Sequence, residues 1–349
     1  MILVRKTVLT VFLMSFFVSC QQDTTIISDD YVKRLQSVLE VSADKVNDDD
    51  SQLNLDYPAP RDLRQTASIN ILSIREFLSL RECALHTIIA KRNSLIGKVA
   101  PQSQILFNDL EILHNIPECV LTLQKNSRHE LSEKLIRYQK QKTQYLNQSL
   151  WQAILGQKEN AQFWRVKPQP KDYPRSFNNS SVQSINALIK FIGQVKLGDY
   201  NFNQQQTDEI ERHLQKLSLG DAGQLYSQLT KLTANLELAN QAISQRLEQP
   251  LCLNDKPTEK SRYFQNVVNK FFIDKVQVNT VHLVQRYRQL LPRYLELEKS
   301  LNTAAPKAYR QWKQQRDHSF QRALTISKQH VVYVQQLYDQ CGLSVSNRH

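Results

Sequence analysis

Two groups of side chains in this sequence carry enough charge and hydrogen-bonding capacity to do chemistry. Arg92, Asn93, Ser94 and Lys98 stand close together. Arg and Lys donors beside an amide and a hydroxyl suit an inorganic anion or a peptide carboxylate. The same residues suit a helix C-terminus, where cations face the negative end of the dipole and Asn and Ser tie down the turn; this second reading is favoured. Lys307, Arg310, Lys313 and Arg316 recur at three-residue steps, with Tyr309 and Trp312 between them. Such a stripe can rest on anionic headgroups or on a partner, with Trp312 at the interface. The alternative, again favoured, is a solvated helical face whose two aromatics belong to the core. His86 and His114 can approach one another across a hairpin between Cys83 and Cys119, where a partly buried structural pair is favoured over a functional one. Glu296 and Glu298 point to different faces of one helix. The sequence contains no Gly-x-Ser-x-Gly, no His-Glu-x-x-His and no phosphate-cradling glycine loop. Its eight histidines form no metal pair at helical spacing. No catalytic residue, cofactor or metal is therefore expected.

The one residue with a distinct covalent chemistry is Cys20. Arg5 and Lys6 precede an almost wholly apolar run from Thr7 to Val18, which is a charged n-region followed by an h-region of about a dozen residues. That run is too short to span a bilayer, which takes roughly 20 apolar residues. Phe17-Val18-Ser19-Cys20 resembles the lipobox of bacterial lipoprotein signals, with Phe17 where Leu is common. The resemblance implies that the Cys20 thiol receives a diacylglycerol, that residues 1–19 are removed and that the new amino terminus is acylated. Two or three acyl chains at about 0.8 kcal/mol per buried CH₂ make a stable anchor. Gln21, rather than Asp, follows the cysteine. In Gram-negative lipoproteins this implies sorting to the outer membrane, with the chain facing the periplasm.

Composition agrees with an exported helical protein. The chain has 349 residues and only 7 glycines, with Gln, Leu, Lys and Arg abundant, so long helices and few tight turns are expected. The formal charge is +12, and removing Arg5 and Lys6 leaves +10. In an envelope the matching anions are phospholipid headgroups, lipopolysaccharide phosphates or acidic proteins. Export argues against nucleic acid. With Cys20 lipidated, Cys83, Cys119, Cys252 and Cys341 remain, an even number for an oxidising compartment. Of the three connectivities, sequence proximity favours Cys83–Cys119 and Cys252–Cys341.

Residues 20–60 read as a lipidated cysteine, a polar tether over 21–28, a helix capped by Ser28-Asp29-Asp30 and running to about Lys45, an acidic break at Asn47 to Asp50, and the extended linker Tyr57-Pro58-Ala59-Pro60. Residues 61–165 form an N-terminal helical half. Ser73 to Ile96 is expected to be one helix stopped by Gly97, Pro101 opens a second that ends near Pro117, and Arg128 to Leu155 is a third. The first two, antiparallel, would bring Cys83 and Cys119 together. Asn160 to Trp164 adds a turn. Residues 166–182, rich in Pro, Asn and Ser, are a linker or an ordered loop. Residues 183–349 form a C-terminal bundle. It starts with helices over Gln183 to Lys196 and Thr207 to Leu217, the latter capped by Thr207. Leu225, Leu229, Leu232, Leu236, Ala239 and Ile243 make a heptad seam. Leu283, Tyr287, Leu290, Tyr294, Leu297 and Leu301 make another, with Pro292 expected to kink or break it. Phe320, Leu324, Ser327, Val331, Val334, Tyr338 and Cys341 make a third, after Pro306. Ile69 to Leu72 and Phe271 to Val278 are the only β-like runs.

Arg81-Glu82-Cys83-Ala84-Leu85, then Ile88 through Lys98, Ser103 and Cys119, resemble the uncharacterised bacterial lipoproteins grouped as domain of unknown function 3080. The stretch from Tyr57-Pro58 to Arg64 is similar as well. The resemblance implies an envelope lipoprotein and supplies no activity. The expected protein is all-α: an elongated multi-helix bundle stapled by two disulfides and tied to the membrane through Cys20. Its expected role is that of a non-enzymatic adaptor or scaffold for an envelope protein. The alternative is a binding protein for an anionic lipid, glycan or peptide in a groove between the two halves.

Overall fold

The computed structural model of the chain describes residues 24–41, 56–65, 74–94, 97, 99–168, 173–175, 180–252, 254 and 256–343. The expected signal segment with Cys20, the acidic break at Asn47 to Asp50, the β-like run Ile69 to Leu72, and Lys98 lie outside the described residues. The helices are α1 (Thr24–Leu39), α2 (Pro60–Leu63), α3 (Ile74–Leu78), α4 (Leu85–Asn93), α5 (Gln102–Lys125), α6 (His129–Gln144), α7 (Leu146–Ile154), α8 (Lys158–Phe163), α9 (Ser180–Lys196) and α10 (Gln204–Ser218). They continue with α11 (Ala222–Glu248), α12 (Glu259–Val267), a π-helical stretch (Val268–Gln277), α13 (Val278–Ser300), a 3₁₀ turn (Asn302–Ala304) and α14 (Lys307–Gln340). No strand occurs among the described residues, and the run Phe271 to Val278 is helical.

The bundle is built around α11. Apolar and small residues cover almost its whole circumference, as a helix needs when it is buried on all sides. Leu225, Leu229, Leu232, Leu236, Ala239 and Ile243 are all buried, as the seam predicts. Helix α14 runs parallel beside it, with Tyr226 bonded to Ser319 and Asn240 to His330. Helix α1 runs parallel on another side, with Asn235 bonded to Ser28 and Arg246 to the Leu39 carbonyl. The α13 seam is also buried, with Tyr287 at its edge. The α14 seam differs from its expected register. Phe320, Ala323, Ile326, His330, Val334 and Leu337 are buried, while Leu324 and Ser327 sit at the flank and Val331 is exposed. Ranking by residue type prefers Val331 to His330, whereas the fold supplies His330 with polar partners inside the core.

Several expected helix ends move for identifiable reasons. Helix α1 begins at Thr24, and Ser28 is buried inside it rather than capping it. The turn at 79–84 divides the expected Ser73 to Ile96 helix and re-phases it, burying Leu85 and Ile89 and leaving Ala84 and Lys91 outside. Gly97 still closes this end: a Cβ there would meet the Lys91 and Arg92 carbonyls at 2.6 and 2.5 Å. Helices α5 and α13 continue through Pro117 and Pro292. Both prolines face solvent, where losing one ladder bond costs least, and the buried stripe on the other side holds the chain in register. The expected Arg128 to Leu155 helix is interrupted at Tyr145. Asn203, not Thr207, caps α10, in a reciprocal box with Gln206 at 3.0 and 2.9 Å.

Both expected disulfides are present. Cys83–Cys119 has a Cα separation of 5.3 Å and Cys252–Cys341 of 5.1 Å. The first staples a small core of Leu80, Leu85, Ile89, Ile112, Ile116, Leu123, Leu131 and Leu135. Helix α5 reaches from it into the main core through Leu106, Leu110 and Leu113. The main core itself joins Trp151, Ile154 and Phe163 to Leu188, Leu229 and Tyr294, so residues on both sides of 166–182 share one interior.

Candidate functional site

The stripe at the start of α14 divides between surface and interior. Lys307 and Arg310 are exposed, and Arg310 bonds to the Ala305 carbonyl. Tyr309, Trp312 and Arg316 are buried, so Trp312 and Arg316 drop out of any membrane- or partner-facing stripe. A three-residue step on a helix of 3.6 residues per turn drifts around the axis and carries the fourth member into the core.

Arg316 is 0 % exposed and makes a two-pronged bond to Glu298, with both N···O distances at 2.8 Å. It also reaches Asp317 at 2.7 and 2.9 Å. The rings of Trp164, Trp312 and Tyr294 surround the guanidinium at 4.8, 4.9 and 5.5 Å. Tyr309 donates to Glu298 at 2.5 Å, and Lys313 lies 3.6 Å from the same carboxylate. Tyr294 donates to Asn160 Oδ1 at 2.8 Å; Asn160 Nδ2 donates to Tyr57 Oη at 2.8 Å, and Tyr57 donates to the Leu155 carbonyl at 2.8 Å. The Tyr57 ring stands edge-on to Trp312 at 4.9 Å. The linker, α8, α13 and α14 thus meet in one polar and aromatic network. Gly223 assists from α11: a Cβ there would meet the Trp164 carbonyl at 2.1 Å, so only glycine lets α11 approach.

The electrostatics close this network on itself. Two cations, Arg316 and Lys313, face two carboxylates, Glu298 and Asp317. Burial opposes the charge on Arg316, but Glu298 beside it more than compensates and holds it protonated. Burial, with Glu298 acting in the same direction, pushes Tyr309 far above the usual phenol range, and burial does the same to Tyr57. The phenols keep their protons at neutral pH and act as donors, while Glu298 is committed to Tyr309, Arg316 and Lys313. The arrangement stabilises four chain segments against one another and offers no poised acid–base pair.

Two further buried ion pairs repeat this logic. Arg286 meets Asp221 at 2.6 and 2.8 Å, and Tyr173 donates to the same carboxylate at 3.0 Å. Lys142 meets Asp109 at 2.5 Å. Arg92 joins that pair at 3.3 Å, so its side chain serves α5 and α6 rather than an open anion site. Burial pulls Lys142 below the usual lysine range, with Asp109 opposing. Asn93 is exposed, and Ser94 caps α4 by donating to the Lys91 carbonyl at 2.8 Å. His86 stacks on Phe77 at 4.4 Å and His114 is exposed. No group of three His, Cys, Asp or Glu side chains suited to a metal occurs among the described residues.

A neutral polar cluster lies where α1, α11 and α14 meet. His330 is 0 % exposed; its Nε2 is 2.8 Å from Tyr31 Oη and its Nδ1 is 2.6 Å from Asn240 Oδ1. An Asn carbonyl only accepts, so Nδ1 carries the proton and Tyr31 donates to Nε2. Phe272 of the π stretch packs its ring 4.5 Å away. These neighbours are uncharged, and burial pushes the imidazole down to about 3. An unfolded histidine binds a proton near pH 6.5, so stability is full above that pH and falls as pH drops through the window from about 6.5 to 3. Denaturant unfolding should show a loss of about 2 kcal/mol between pH 7 and pH 5 from this residue alone. His330→Gln should remove that part of the slope, and equal slopes in both proteins would refute the assignment.

The sequence marks some of these groups. Asn240 and His330 interrupt apolar stripes, which is the visible sign of a buried polar residue. Nothing local marks Tyr57, Asn160 or the pairing of Arg286 with Asp221. A family model described as protein of unknown function (DUF3080) matches residues 28–345. No curated protein and no solved structure matches the chain.

Proposed function

The chain belongs to the DUF3080 family of proteins of unknown function, and from that premise we propose that it is an outer-membrane lipoprotein, anchored through Cys20 and facing the periplasm of a Gram-negative bacterium, where it acts as a non-enzymatic adaptor or scaffold for another envelope component. The observation that carries the reading is the internal use of buried charge. Arg316, Arg286 and Lys142 are each matched by a carboxylate from elsewhere in the chain, and each pair ties separate helices together. Charge matched inside the fold in this way is not offered to a ligand, which supports recognition through the outer surface. Two disulfides fit an oxidising compartment. The interior shared across 166–182 counts against the alternative, a ligand groove between two halves.

Two measurements test this. Cys20→Ala should move the chain from the membrane pellet to the soluble periplasmic fraction; a chain that stays pelleted through a high-salt wash sinks the anchor. In-cell photo-crosslinking from the exposed positions Lys307 and Ile136 should yield one recurring protein adduct. Adducts only to glycan or lipid at both positions would replace the adaptor reading with ligand binding.

A further inference from the structure

Helix α1 is fixed to the body from Ser28 to its C-terminal end. Tyr31, Leu35 and Leu39 are fully buried. Asn235 donates to Ser28 Oγ at 2.8 Å and Asp29 Oδ1 at 2.6 Å, and Lys260 pairs with Glu40 at 2.6 Å. The helix starts at Thr24, four positions after Cys20. Four residues reach about 14 Å at full extension. Any lipid on Cys20 therefore holds the start of α1 within about 14 Å of the bilayer.

The packing of α1 shows which surface lies there. It runs antiparallel to the α12–π–α13 helix: Glu40 meets Lys260, Arg34 stacks on Phe271 at 4.2 Å, and Tyr31 packs against Phe272 at 5.6 Å. Continued by another two turns, this register sets the first turn of α1 level with Val278 and Val281. Both valines are 49 % exposed. Lys270 and Lys275 are exposed on the same stretch, with Asp274 between them; on α1, Lys33 and Arg34 face outward beside Asp29 and Asp30. Exposed aliphatic side chains flanked by lysines suit the headgroup–acyl boundary, where lysine stems lie on apolar matter and their ammonium groups reach phosphate.

We infer that the outer face of the π stretch and the start of α13, carried by Val278 and Val281 with Lys270 and Lys275, rests on the phospholipid surface, so that a short leash and this patch together set the orientation of the body on the membrane. The inference rests on the Cys20 anchor proposed above. The acyl chains supply retention and the patch supplies direction.

The test uses the full-length chain in its native membrane, with a photo-reactive residue at Val281 or at Leu121, which is 59 % exposed on α5 beside the small core. Mass spectrometry reads phospholipid adducts at the probe and, separately, acylation of the amino-terminal peptide. Val281 should give phospholipid adducts at several times the yield from Leu121. Equal yields, or a higher yield at Leu121, on a chain whose Cys20 is acylated would overturn the orientation while leaving the anchor intact. An unacylated amino-terminal peptide would overturn the anchor and this inference with it.

Discussion

Replacing Glu298 with alanine is expected to destabilise the protein by about 3–5 kcal/mol, because it strands a buried charge. Arg316 has no route to solvent at 0 % exposure, and its two-pronged bond to Glu298 is the main compensation for its desolvation. The same change takes Glu298 from the Tyr309 phenol and leaves Tyr294 Oη, at 3.1 Å, as its neighbouring acceptor. Asp317 keeps the loss below that of a wholly isolated charge. Glu296, two residues away, pairs with Arg293 on the exposed side of α13. Glu296→Ala should therefore stay within about 0.5 kcal/mol of the parent. Denaturant titration followed by circular dichroism reads both variants, and equal losses would show that the buried pair is not what holds α13 to α14. The double variant Glu298→Leu with Arg316→Met should recover most of the loss, since breaking the pair costs far more than replacing it.

Removing the Cys252–Cys341 bridge, as the paired alanine variant, should cost about 4.5 kcal/mol by loop-closure entropy, for a sequence separation of 89 residues. The bridge ties the segment after α11 to the end of α14, so its loss frees both ends of the central pair at once. Cys83–Cys119 closes a shorter loop of 36 residues, which gives about 4 kcal/mol on the same basis. The two losses should differ more in place than in size. Hydrogen exchange should quicken across α11 and α14 in the first case, and in the second be confined to α4, α6 and the Cys119 end of α5. A loss below about 1 kcal/mol for the first variant would mean that packing already holds these ends together in the unfolded ensemble.

The all-α class and the α11 and α13 seams were legible because each depends on information close in sequence. Heptad steps report one helix face and scarce glycine reports few turns; for the cysteines, proximity in sequence favoured, among three connectivities, the one that is found. The α14 seam was legible only in part, because periodicity ranks positions by apolar character and His330 ranks low. Its place in the core depends on Tyr31 and Asn240, which lie on two other helices. The start of α1 was misplaced for a related reason. Ser28 and Asp29 read as a cap, and it is Asn235 that makes them interior positions of a helix. At Pro117 and Pro292 local chemistry predicted a break, and burial of the opposite face overrode it.

The candidate sites divide along the same line. Arg92 and Arg316 were visible as cations at suggestive spacing, and charge alone could not say whether they faced a ligand or the interior. That depended on Asp109 and Glu298, acids on other helices that fold back against them. By itself the sequence determined the helical class and the residues able to carry charge, since these follow from composition and short-range periodicity, and it favoured one cysteine pairing of three. Only the tertiary structure decided which charges are neutralised inside, because a buried ion pair is a contact between distant segments and desolvation makes one partner meaningless without the other.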